Sequence, residues 1–166
     1  MKNGLTLMEL LLVFSIIAIL SVFGTAAFIN YNQSQKVSNA SLEVVNILNL
    51  AKSRAASQVK PSSCTGVLSG YKVGLCKLDP NVCLSSEINY DYALYAVCGN
   101  EVISPAIEKK KLPEGITFDT SSATSFSFKV LSGGVNQAGV TKINGFGQGK
   151  CVTINDIGSI EGPDSC

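Results

Sequence analysis

The chain has no histidine and no tryptophan, only two methionines, and charged side chains at 15% of positions. Without histidine the commonest general base is missing. The six cysteines contain no Cys-x-x-Cys pair, so the usual ligand spacing of structural zinc is missing too. No triad-like or metal-ligand constellation is present, and the reading is of a non-enzyme with no cofactor and no metal. Net charge is as scarce: the formal value is +1, and beyond residue 36 eleven Lys or Arg stand against eleven Asp or Glu. Such a balance makes no strong field of either sign, which counts against capture of nucleic acid by bulk charge. Gly145, Gly147 and Gly149 lack the G-x-G-x-x-G spacing and no helix follows them, so they read as a hairpin loop rather than a phosphate cradle.

What the chain does have is a long apolar opening, "MKNGLTLMELLLVFSIIAILSVFGTAAF". Residues 10–29 carry no charge, about the length needed to cross a hydrocarbon core of roughly 30 Å. One carboxylate, Glu9, stands at its start. A secretory signal cleaved after Gly24-Thr25-Ala26 competes with a retained helix, but an acid in an apolar segment costs insertion energy, and a disposable signal gains nothing from it. Residues 30–36 are polar and mark an exit, with Tyr31 at the interface and Lys36 beyond it. Helical periodicity then resumes: Val37, Ala40, Val44, Ile47, Leu48, Ala51 and Ala55 recur at three and four, to about Gln58 and before Pro61.

After Pro61 short β-branched and aromatic runs alternate with Gly, Ser, Asn and Asp, which predicts strands at 65–68, 71–77, 90–97, 115–119, 125–131, 139–143, 150–155 and 158–161. About 130 residues beyond the apolar segment suffice for one compact domain. Cys64, Cys76, Cys83, Cys98, Cys151 and Cys166 all follow residue 60 and fit disulfides in an oxidising compartment. They allow fifteen pairings. Spacing favours Cys151 with Cys166, Cys64 with Cys76 and Cys83 with Cys98. Tyr90 and Tyr92 alternate as on one strand face, as plain sheet packing or a stacking platform. Lys109, Lys110 and Lys111, the one charge run, read as a solvated loop.

The stretch "KNG|LTLMELLLVFSIIAILS" resembles the leader and helix of type IV pilins and type II secretion pseudopilins: a short leader ending in glycine, then a hydrophobic residue, Thr, two apolar positions, Glu and an apolar helix. Leu5 replaces the commoner phenylalanine, and the proline often found further along that helix is missing, leaving Gly24 as the residue able to loosen it. "KLPEGITF", "FSFKVLSGGVNQAG" and "CVTINDIGSIEG" are similar in order to the GspH/FimT group of minor pseudopilins. The resemblance implies cleavage by prepilin peptidase between Gly4 and Leu5, N-methylation of Leu5, and a docking and register role for Glu9, whose carboxylate would neutralise a neighbouring subunit's α-amine.

It implies an α+β, pilin-like fold: a long N-terminal helix, membrane half plus amphipathic half, packed on a mostly antiparallel sheet with disulfide-stitched loops. The domains would be a leader at 1–4, a transmembrane and assembly helix at 5–29, its amphipathic continuation at 30–60 and a β-rich part at 61–166. The expected function is that of a structural minor pilin or pseudopilin in a type IV pilus or type II secretion pseudopilus. The alternative is a DNA-binding minor pilin of an uptake pilus, against which the neutral balance and the acidic "EGPDSC" count. Expected partners are other subunits, prepilin peptidase and, before assembly, cytoplasmic-membrane lipid. The expected location is a single pass of the inner membrane with an extracytoplasmic C-terminal domain, and then the filament.

Overall fold

Helix α1 covers Leu7–Ala56 in a computed structural model that describes residues 7–84 and 89–166, without the side chains of 22, 23 and 26. The chain divides into two compact units, Met1–Gln35 and Lys36–Cys166, and α1 contributes to both. Its end at Ala56 agrees with the stop expected near Gln58, where the backbone turns left-handed at φ 53°.

Among the described residues no helix is long and apolar enough to cross a membrane. This corrects both the membrane half expected at 5–29 and the single-pass inner-membrane location. The physical reason is length: the apolar stretch described without a gap, residues 7–21, rises only about 22 Å against roughly 30 Å of hydrocarbon.

In the second unit the helical stripe is buried as its periodicity predicts: Val37, Ala40, Val44, Ile47, Leu48, Ala51 and Ala55 are all 3% exposed or less. Ser41, on the same face, is also buried and donates its hydroxyl to the carbonyls of Val37 and Ser38. A polar side chain is tolerated there because its hydrogen is spent within the helix.

Nine strands follow among the described residues: β1 Leu68–Gly74, β2 Tyr92–Cys98, β3 Glu101–Val102, β4 Glu108–Lys110, β5 Ile116–Phe118, β6 Ser125–Lys129, β7 Gly139–Gly145, β8 Gln148–Ile154 and β9 Ile160–Ser165. The α+β class stands, but the single sheet of the pilin-like layout is replaced by two antiparallel sheets. One has the order β3-β2-β1-β6, with β4 also on β2; the other runs β5-β7-β8-β9. They are separate because β6 spends its outer edge on the chain that follows it. Lys129 donates to the Gly134 carbonyl, Asn136 donates to that of Ser127, and Phe128 bridges Val135. With that edge taken, β7 pairs with β8 and β5 instead.

One core joins the helix stripe to both sheets through Tyr71, Val73, Leu94, Phe126 and Phe128 on one side and Ile116, Phe118, Ile143, Val152 and Ile154 on the other. A second, smaller cluster lies on the reverse face of β2, where Ala93 and Tyr95 meet Cys76, Cys83 and Ala106. Strand β2 is therefore buried on both faces, which explains its unbroken apolar run YALYAV. The strand expected at 65–68 is absent, and β3 and β4 lie where no strand was predicted; the lysine run belongs partly to β4 rather than to a loop. The glycine cluster does make a hairpin. Gly145 pairs with Gln148, and Phe146 and Gly147 both have positive φ, 53° and 75°, as a two-residue turn between twisted strands requires.

Three disulfides close the second unit: Cys64–Cys98, Cys76–Cys83 and Cys151–Cys166. The terminal pair is the one spacing favoured; the other two partners are exchanged. Cys64 and Cys76 lie beyond opposite ends of β1, which as a seven-residue strand extends about 20 Å. The antiparallel register instead sets Leu68 opposite Cys98, bringing Cys64 to the end of β2, while Cys76 and Cys83 flank a short 3-10 turn at Pro80–Val82.

Asp119 ties the turn after β5 to β7: its carboxylate accepts from the Ser121 amide at 2.8 Å, the Ser121 hydroxyl at 2.6 Å and the Asn144 side-chain amide at 2.8 Å. The Ser121 hydrogen bonds, helped by Asn144 and Lys142, hold this carboxyl below its ordinary value. A depressed folded-state pKa means the stabilisation is present above the unfolded value and is lost as pH falls through the folded one. The expected result is that Asp119→Asn is less stable than the parent at neutral pH and loses less stability from about pH 4 downward. Urea midpoints measured across that range for both proteins check it; parallel curves would refute it.

Candidate assembly surface on the N-terminal helix

The first unit exposes large apolar side chains at nearly every described position. Leu7 is 78% exposed, Met8 76%, Phe14 60% and Leu20 65%, with Leu10, Leu11, Leu12, Val13, Ile16, Ile17 and Ile19 also exposed. Five consecutive positions, 10–14, already sweep the helix circumference at about 100° each, so the surface is apolar all round rather than along one stripe. The hydroxyls add to this surface instead of interrupting it. Ser15 donates to the Leu12 carbonyl at 2.8 Å, Ser21 to that of Ile17 at 2.8 Å and Thr25 to that of Ser21 at 3.0 Å, so their protons are already bonded inside the helix.

Glu9 is the charged group of this surface. It lies in the first turn of α1, exposed, where the helix dipole favours a negative charge. Gly4 and Leu5, the expected cleavage and methylation positions, and the leader at 1–4 lie outside the described residues. An apolar surface of this extent, with one carboxylate at its end, matches what a helix needs to pack among other helices.

The remaining sequence candidates are structural. Tyr90 and Tyr92 do not share a platform. Tyr92 is fully buried, its ring edge-on to Phe118 with centroids 5.9 Å apart, and its hydroxyl donates to Glu43 at 3.5 Å; burial, with Glu43 beside it, pushes that hydroxyl's pKa well up. Tyr90 is only half-buried, with the ammonium groups of Lys109 and Lys111 at 5.3 and 5.8 Å from its ring centre. All six cysteines are in disulfides. Among the described residues no group of three or more Cys, Asp or Glu side chains is placed to hold a metal.

A feature the sequence reading missed lies on the reverse face of the first sheet, where Lys72 of β1 opens into a groove of about 300 Å³. Its one signal was the alternation in LSGYKVG, which sets Lys72 opposite in sense to Tyr71 and Val73. Compared with family models, curated proteins and solved structures, the chain matches none.

Proposed function

We propose that the chain is a structural subunit of a helix-packed filament, a minor pilin or pseudopilin that prepilin peptidase trims after Gly4 and that assembles through its N-terminal helix into a type IV pilus or type II secretion pseudopilus. The observation that carries this reading is the all-round exposed apolar surface of residues 7–21 with Glu9 at its start. In water that surface costs about 25 cal/mol for each Å² of apolar area, and packing among like helices removes the cost. Chemistry is done to the subunit, not by it. Its second unit, closed by three disulfides, is the part displayed.

N-terminal mass spectrometry of the protein from cells with and without an active prepilin peptidase tests the reading. With the enzyme, the first residue is expected to be Leu5 carrying one methyl group on its amine; without it, residues 1–4 remain. A mature start at Ala27, or identical termini in both strains, would overturn the proposal.

A further inference from the structure

Strand β1 places alternate residues on opposite faces, so while Tyr71 and Val73 enter the core, Lys72 projects from the reverse face. There it sits in register with Ser127 of β6 on one side and Tyr95 of β2 on the other. The groove around it, about 300 Å³, is walled by Ser125, Ser127, Asn136 and Gln137, and it shares Val97, Ser127 and Asn136 with a larger groove of about 670 Å³ that reaches Lys129. Among the described residues neither lining contains an Asp or Glu.

Lys72 is half-buried, and among the described residues its ammonium has no carboxylate within 4.0 Å. Asp79 acts on it electrostatically, and the Oδ1 of that carboxylate accepts from the Asn81 amide and side chain at 2.9 and 3.0 Å. Burial outweighs Asp79 and lowers the Lys72 pKa. A partly desolvated cation without an ion-pair partner, among four neutral polar side chains and two valines, is a state that an incoming anion relieves.

We propose that this groove is a binding site for a carboxylate carried by a polar molecule, with Lys72 as the charge partner, Ser125, Ser127, Asn136 and Gln137 as hydrogen-bonding neighbours, and Lys129 along the adjoining groove. A carboxylate is preferred to a phosphate because the inner groove holds one cation and four neutral polar side chains. A phosphate dianion calls for several cations or a nest of backbone N–H groups. The site is independent of the assembly reading, since all its residues belong to the second unit.

The test uses the full chain in a mild non-ionic detergent, with galacturonate as probe and galactose as its neutral counterpart, followed by saturation-transfer NMR on the sugar at constant ionic strength. Galacturonate is expected to bind and galactose not, with Lys72→Met weakening binding about tenfold or more and Lys72→Arg retaining it. Ser127→Glu, which places a carboxylate in register with Lys72, is expected to abolish binding by filling the site from within. Intact disulfides by mass and an unchanged circular dichroism spectrum establish that each variant is folded. Equal binding of galactose, no binding of galacturonate, or undiminished binding in folded Lys72→Met or Ser127→Glu protein would each overturn the proposal.

Discussion

Replacing Glu9 by Gln is expected to lower the share of subunit recovered in filaments by about a hundredfold or more, with the folded second unit unaltered. Two electrostatic effects bear on this position. The first is the helix dipole, which favours an acid in the first turn of α1 by about 0.3–1 kcal/mol at an exposed site. It is present in the free subunit and in the assembly alike, so it largely cancels. The second arises only on assembly, when the exposed apolar surface of residues 7–21 becomes covered and Glu9 is desolvated with it. If a neighbour's α-amine is then its partner, Gln keeps the size of the side chain but leaves that amine charged and uncompensated. Breaking one half of a buried pair costs about 3–5 kcal/mol, and about 1.4 kcal/mol corresponds to each tenfold change in the assembly equilibrium. The measurement is the ratio of subunit in sheared filaments to total subunit, wild type against Glu9→Gln at matched expression, with the N-terminus sequenced in both. Correctly trimmed Glu9→Gln subunit entering filaments at the wild-type ratio would show that Glu9 is not a register residue.

Removing the Cys64–Cys98 bridge is expected to cost more stability than removing either of the other two. In the chain-entropy model the effect grows with the loop closed, and the sequence separations here are 34, 15 and 7 for Cys64–Cys98, Cys151–Cys166 and Cys76–Cys83. These correspond to about 3.8, 3.0 and 2.4 kcal/mol. The first is a large part of the 5–15 kcal/mol that typically holds a domain together. Burial reinforces the order at its upper end, because Cys64 is 3% and Cys98 8% exposed and paired alanines leave space behind. The tether is also the one that joins the segment after the helix to the far end of β2. Urea unfolding of the three double-alanine variants in the full chain, without reductant, measures it. A greater loss on removing Cys76–Cys83 would mean that the small cluster around Ala93 and Tyr95, rather than loop closure, decides the matter.

Much of the helix was legible in the sequence. The seven positions read as its buried stripe are all buried, since a 3.6-residue repeat is a local property that any apolar surface laid against it will respect. The turn at Phe146–Gly147 was legible for the same reason, its glycines meeting a local backbone need. The sequence by itself also settled that six cysteines would be available to pair, but not with whom. Pairing depended on the β1–β2 register, which brings residues 64 and 98 together across 34 positions and separates Cys64 from Cys76 by the length of a strand. The division into two sheets likewise followed from a tertiary event, the loop 130–136 closing the edge of β6 before β7 begins. Tyr92 and Tyr90 look alike along the chain and differ only because one packs in the core against Phe118, its hydroxyl reaching Glu43, while the other meets two lysines at the surface. The groove around Lys72 shows the limit most plainly: its walls come from β1, β2, β3, β6 and the segment after β6, and no periodicity in any one of them records the others. Local spacing determines which face a side chain takes; what that face meets is decided by strand order and register, which are sums over contacts distant in the chain.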